Sequence, residues 1–177
     1  MTSDRPVPKR FPKVPFERRF YGFLIDFVCV WVISSLAGPP FLQMVVFLGA
    51  WFTLRVVVVD RNGGQSLGSW CMDIKVMDVR FRKVPELFIL LKREALLGGS
   101  ALLAMIGLNL FFVNPFSTLL LVSPLVAGCG VAYADEDYNQ GFHDRLCNTV
   151  VIQTKRGFSL DIRLRRWLAE LRFRMRK

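Results

Sequence analysis

Residues 20–54 read FYGFLIDFVCVWVISSLAGPPFLQMVVFLGAWFTL, and Asp26 is the only charge among them. A helix needs about 20 apolar residues to cross the hydrocarbon core of a bilayer. This stretch is long enough for two crossings, with Gly38-Pro39-Pro40 as the turn between them. Residues 95–134 carry no charge at all and repeat the arrangement, with Asn114-Pro115 at their turn. Only helices can cross as open segments, because a lipid-exposed strand leaves backbone groups unpaired. The pattern predicts an all-α integral membrane protein with four transmembrane helices arranged as two hairpins. The expected spans are residues 20–37, 41–59, 98–113 and 117–134.

Composition agrees with that reading once charge and apolarity are placed along the chain. The 177 residues are 53% hydrophobic yet hold 24 Lys and Arg, for a formal net charge of +10. A soluble helical domain would mix these two populations on each helix, whereas here they are segregated. A basic balance suits nucleic acid, anionic lipid or an acidic partner. Segregation, and the lack of any nucleic-acid motif, favour anionic lipid headgroups and argue against nucleic acid. The four cysteines, Cys29, Cys71, Cys129 and Cys147, form no CxxC pair and are expected as reduced thiols. The N-terminus does not have the pattern of a cleavable signal.

Outside the spans, residues 1–19 hold Pro6, Pro8, Pro12 and Pro15 and read as a basic, Pro-rich cytoplasmic arm. Residues 20–154 form the membrane domain. Within it, Pro85 opens an expected interfacial helix over 86–97, with Lys92-Arg93-Glu94 as its polar patch. Residues 71–79 and 146–154 read as short strands that pair into a small cytoplasmic sheet. Residues 155–177 form a basic amphipathic tail, with an expected helix from 159 whose apolar face includes Leu164, Trp167 and Leu171. Apart from Arg55, every Lys and Arg falls at an end or in the central loop, and the two outer turns carry none, so the positive-inside rule places both termini in the cytoplasm.

Asp26 is the most informative residue. A carboxylate two turns inside a span costs several kcal/mol (roughly 2.5–3.5 on insertion scales) unless paired, solvated or protonated. Arg19 lies two turns earlier on the same helix face. Arg55 lies opposite Asp26 if the hairpin turns at Pro39-Pro40. Asp26 is expected to contact at least one of them, either as an ion or proton site or as a buried pair that docks two spans. Asp144 is expected to cap a helix or to pair with Arg93 or Lys75. Asn109 reads as a hydrogen-bonder between helices. Small residues at Ser100, Ala104, Gly107, Gly128 and Gly130 suggest close helix packing.

Other signals are weak. Gly63-Gly64-Gln65-Ser66-Leu67-Gly68 lacks the lysine of a phosphate loop and reads as a turn. His143, the only histidine, has no companion at metal-ligand spacing, so neither a metal nor a cofactor is expected. No nucleophile has an evident base, which argues against an enzyme.

Three segments together resemble the RDD family of small membrane proteins, named for one Arg and two Asp. They are Arg18-Arg19 through Asp26; Gly64-Gln65-Ser66-Leu67-Gly68 with Lys75; and Gly141 through Leu146, containing His143, Asp144 and Arg145. The residues the resemblance carries over are Arg19, Asp26 and Asp144. Two departures occur: Ser69 stands where the family often has Lys, and Asp73 where it often has Gly. The N-terminal arm and the tail after Gly157 look similar to forms from oxygenic photosynthetic bacteria, which implies a thylakoid location. The family is associated with transport, and some members are proposed cation/proton antiporters.

Two functions follow as expectations. The first is an accessory or assembly factor bound to a larger integral membrane complex, such as a photosystem-type complex, or to itself. The second is an oligomeric cation/proton antiporter or other small-solute transporter using Asp26.

Overall fold

A computed structural model describes residues 13–154. Long helices dominate it, and the lengths follow from the apolar runs. Helix α1 spans Phe16–Ser35 and stops at the turn before Pro39. Helix α2 spans Pro40–Phe52, with proline at its first position, where the missing N–H would have had no partner. It continues through a π-helical turn, Thr53–Val57, into the short helix α3, Val58–Arg61. Helix α5 spans Leu87–Asn109 and α6 spans Pro115–Ala134. Asn114 caps α6 by accepting from the N–H groups of Phe116 and Ser117.

The continuous helix Pro40–Arg61 and helix α6 are long and apolar enough to cross a membrane, with mean hydropathies of 2.0 and 1.7. Helices α1 and α5 are of similar length, 20 and 23 residues. They carry more charge: Glu17, Arg18, Arg19 and Asp26 on α1, and Lys92, Arg93 and Glu94 on α5, whereas α6 carries none and Pro40–Arg61 carries Arg55 and, in its last turn, Asp60 and Arg61.

All four long helices have one end in common, and the remaining elements cap it. These are α4 (Leu67–Cys71), β1 (Ile74–Asp78), α7 (Phe142–Leu146) and β2 (Thr149–Gln153). The two strands pair antiparallel with Val76 opposite Val151. The sheet expected from residues 71–79 and 146–154 is therefore present. At the other end the chain only turns, at residues 36–39 and 110–114.

The core has two main parts. Phe27, Val30, Phe47, Trp51, Ala101, Ala104 and Met105 fill the space between α1, α2 and α5. Val14, Val56, Val59, Met72, Ile74, Val76, Leu90 and Val151 join the capped end to the helices. Helices α5 and α6 form an antiparallel pair, closest at Gly107, where an added Cβ would meet Leu121 Cβ at 3.0 Å. Thr118 donates to the Gly107 carbonyl there at 2.7 Å. Gly128 and Gly130 are different: a Cβ on either would meet nothing within 4 Å, so neither mediates a close approach.

The structure corrects the expected boundaries in one important respect. The interfacial helix over 86–97 and the span over 98–113 are a single helix, Leu87–Asn109. The polar patch does not turn it aside, because Arg93 and Glu94 are buried and paired while Lys92 alone is exposed. In addition, α1 begins at Phe16, so Arg19 belongs to a helix and not to the N-terminal arm. Residues 1–12 of that arm and the expected tail helix lie outside the described residues.

A buried chain of charges as the candidate functional site

Asp26 is fully buried on α1 and faces α4. Two glycines make that approach possible. A Cβ on Gly68 would stand 1.9 Å from the Gly22 carbonyl oxygen, so only bare backbone fits on the α4 side. The Gly68 N–H thereby reaches Asp26 Oδ1 at 2.7 Å. Ser66, the N-cap of α4, donates its hydroxyl to Asp26 Oδ2 at 2.6 Å. Arg55 Nη1 donates to the same oxygen at 2.7 Å.

Arg55 occupies the middle of the π turn. Single π turns inside α-helices often coincide with functional sites, because they re-aim a side chain. The Arg55 guanidinium lies 5.2 Å from the centre of the Trp51 ring and 5.9 Å from that of Phe23. Its Nε and Nη2 donate to the two oxygens of Glu94 at 2.8 and 3.4 Å. Arg93 Nη1 donates to Glu94 as well, and Arg93 Nε donates to Asp144 Oδ1 at 2.8 Å. Arg19 closes the series by donating to Asp144 Oδ2 and to the carbonyls of Tyr138 and Asn139.

The result is a line of six charges alternating in sign: Asp26, Arg55, Glu94, Arg93, Asp144, Arg19. Its three carboxylates are 0% exposed. A lone buried ion costs several kcal/mol, and only close pairing with further hydrogen bonds offsets that. Both conditions are met. The Gly141 N–H and the Thr149 hydroxyl complete Asp144 at 3.2 and 3.3 Å. With the Ser66 and Gly68 bonds to Asp26, every carboxylate oxygen in the line accepts at least one hydrogen bond.

Electrostatics at the capped end follow from this line. Burial alone would raise the Asp144 carboxyl, but Arg93 and Arg19 beside it hold it well below the usual carboxylate range. Burial pushes the His143 imidazole down to about 4, even with Asp144 nearby. His143 is therefore neutral near pH 7, and its 3.6 Å approach to Asp144 is not an ion pair.

The RDD family model matches residues 13–148, most of the chain. The chain belongs to the RDD family. No curated protein and no solved structure matches it. Family membership and the two long apolar helices identify this RDD protein as a membrane protein.

The three residues carried over from the RDD pattern all lie in the charge line, but they do not meet as one triad. Asp26 pairs with Arg55, and Arg19 pairs with Asp144. Arg19 and Asp26 share one side of α1 two turns apart, and each answers a different neighbour. Asp144 chooses Arg93 and Arg19 over Lys75, which stands half-buried on β1 opposite Ile152. Arg145 lies outside the line and pairs with Asp135 at 2.6 Å, largely exposed.

The central motif is structural in its local geometry. Gly64 has φ +93°, and a Cβ there would meet the Val76 carbonyl oxygen at 2.6 Å. Gln65 is buried and donates to the Ile74 carbonyl at 2.8 Å, tying the loop to β1. Asp73 has φ +60°, a left-handed conformation that glycine adopts without strain, which fits the glycine that the family resemblance implies there. Asp tolerates this left-handed conformation better than most residues, and Thr154 binds its backbone and side chain.

Two members of the site escaped sequence reasoning. Glu94 reads as part of a surface patch, although Arg93-Glu94 has apolar residues on both sides in one long helix. That flanking was the available signal. Ser66 reads only as a turn residue. Asn109 does bridge helices: it accepts from Trp31 Nε1 and donates to Gln43 Oε1, each at 3.2 Å. Among the described residues, no group of His, Cys, Asp and Glu is arranged to hold a metal ion.

Proposed function

We propose that this RDD protein is a non-enzymatic, four-span membrane protein that serves as an accessory or assembly factor of a larger integral membrane complex. In this reading α1, Pro40–Arg61, α5 and α6 all cross the bilayer, and both termini are cytoplasmic, in a plasma or thylakoid membrane. Of the charges on α1 and α5, Arg19, Asp26, Arg93 and Glu94 are neutralised in the charge line, and Glu17, Arg18 and Lys92 stand in the first two turns at the capped end. That supports placing all four helices in the bilayer, with the line near its cytoplasmic face.

The observation that carries this function is saturation. All three carboxylates of the line are bonded to the protein's own groups, so none of them remains to take up and release an ion. A line of this kind fixes how helices dock. Almost all of α6 is meanwhile unburied, leaving a long apolar flank for lateral contact. An antiporter would instead need Asp26 open to an ion path, and Asp26 is enclosed by Arg55, Ser66 and Gly68.

The test is gentle extraction of the tagged full chain from its native membrane, followed by mass spectrometry. One integral membrane complex is expected to co-purify reproducibly, and tagging a subunit of that complex is expected to recover this chain. Recovery of self-associated protein alone would sink the proposal. So would proton-coupled cation flux in liposomes that Asp26→Asn abolishes in a folded protein.

A further inference from the structure

Next to the charge line, a half-enclosed cavity of about 220 Å³ lies between α1, α5 and α6, under the sheet. Its volume is more than ten times the roughly 10–15 Å³ that admits one water. The polar part of its wall is unusual in composition. Arg19, Arg55 and Arg93 line it, with Ser69, Ser100 and His143, and no Asp or Glu does. The reason is visible in the line itself. Asp26, Glu94 and Asp144 are 0% exposed and turned into their bonds. The three arginines that bond these carboxylates are themselves part of the wall. Arg93 donates to carboxylates from Nε and Nη1, and its Nη2 has no acceptor among the described residues. The cavity wall therefore includes three cationic side chains and no carboxylate, although the line as a whole is neutral.

The rest of the wall is apolar and leads outward. Phe20, Leu96 and Pro124 line the cavity and are themselves exposed on the flank of the helices. Helices α1 and α6 touch only sparsely; at the capped end Phe16 and Tyr133 meet edge to face at 5.4 Å. The mouth thus opens on apolar surface that, in a membrane protein, faces lipid.

We propose that this cavity binds one acidic phospholipid, with its phosphate oxygens under the guanidinium groups and an acyl chain leaving between α1 and α6. A phosphate accepts several N–H bonds at once, which suits guanidinium donors better than any neutral head does. A free inorganic anion would share that chemistry but would have to enter through an apolar mouth. This inference does not depend on which complex, if any, the protein joins.

The full chain, purified in neutral detergent, is titrated with short-chain phosphatidylglycerol, short-chain phosphatidylcholine and inorganic phosphate, with binding read by native mass spectrometry. Phosphatidylglycerol is expected to bind about tenfold or more tighter than phosphatidylcholine. Gly128 lines the cavity and an added Cβ there meets nothing, so Gly128→Phe fills the space without a backbone clash. It is expected to weaken phosphatidylglycerol binding about tenfold. Gly130→Phe, equally free of clashes but outside the lining, is expected to leave binding unchanged. Should Gly128→Phe fail to fold, Ser100→Leu fills the same space from α5. Equal binding by wild type and a folded cavity variant would overturn the proposal, as would equal affinity for phosphatidylcholine. Displacement of the lipid by inorganic phosphate would overturn its assignment to lipid.

Discussion

The two ends of the helical bundle are held together by different physics. At the capped end, six charges, all but Arg19 buried, and their hydrogen bonds connect α1, the π turn, α5 and α7. At the turn end, the polar cross-links among the long helices are two uncharged ones: Asn109, shared between Trp31 and Gln43, and the Thr118 hydroxyl on the Gly107 carbonyl. Between them lies apolar packing that would suit many relative placements of the helices. The comparison teaches that position is specified at one end and merely accommodated at the other. Ion pairs are strongly directional, whereas apolar surface in lipid gains little from one partner over another.

The sharpest way to break the contrast is Arg55→Ala. It leaves Asp26 and Glu94 buried without their shared cation, and a loss on the order of 3–5 kcal/mol is expected. Thermal unfolding in detergent should show the variant unfolded or strongly destabilised. An unchanged midpoint would mean that water or detergent already compensates those carboxylates.

Acid should act next most strongly, and only at the capped end. The His143 imidazole is pushed down to about 4 in the folded protein from an ordinary value of 6.5. Its neutral form is therefore favoured by folding. That contribution is whole above pH 6.5 and is lost as pH falls toward 4, by on the order of 3 kcal/mol. Asp144 is also lowered, so its contribution is whole above about 4 and is lost only at still lower pH. Unfolding measured between pH 7 and 4 should show the decline, and His143→Gln should flatten it. A profile identical to wild type in that variant would assign the decline to other groups.

Gly68→Ala tests the backbone approach that lets Asp26 reach an N–H. Its Cβ would overlap the Gly22 carbonyl, so the two helices must separate, at about 1–3 kcal/mol. Hydrogen exchange should rise in α4 more than in α6. The smallest effect is expected at the turn end. Asn109→Leu should cost about 0.6 kcal/mol, the average for hydrogen bonds between membrane helices. A cost equal to that of Arg55→Ala would erase the distinction between the two ends.

Much of this was legible in the sequence because it depends on apolar run length and on one hairpin's register. The turn at Pro39-Pro40 places Arg55 opposite Asp26, and the two are in fact paired. The strand pair was legible for the same local reason. What was hidden required knowing which distant segments meet. Asp144 is 125 positions from Arg19, and nothing local to either residue announces that bond. Glu94 was concealed by an ordinary rule, that adjacent charges lie in water, which fails once each charge has a buried partner. The π turn was concealed because one extra residue in a helix leaves hydropathy unchanged.

The charge line is also divided evenly along the chain. Arg19, Asp26 and Arg55 come from the first half, and Arg93, Glu94 and Asp144 from the second. Within the line, the first half therefore contributes one surplus positive charge and the second half one surplus negative charge. Until the second half is in place, Arg19 lacks the Asp144 carboxylate that it bonds in the folded chain, so each half completes the charges of the other. A chain interrupted between Arg61 and Glu86 would carry that exposed surplus as a mark of incompleteness, available to whatever removes unfinished membrane proteins.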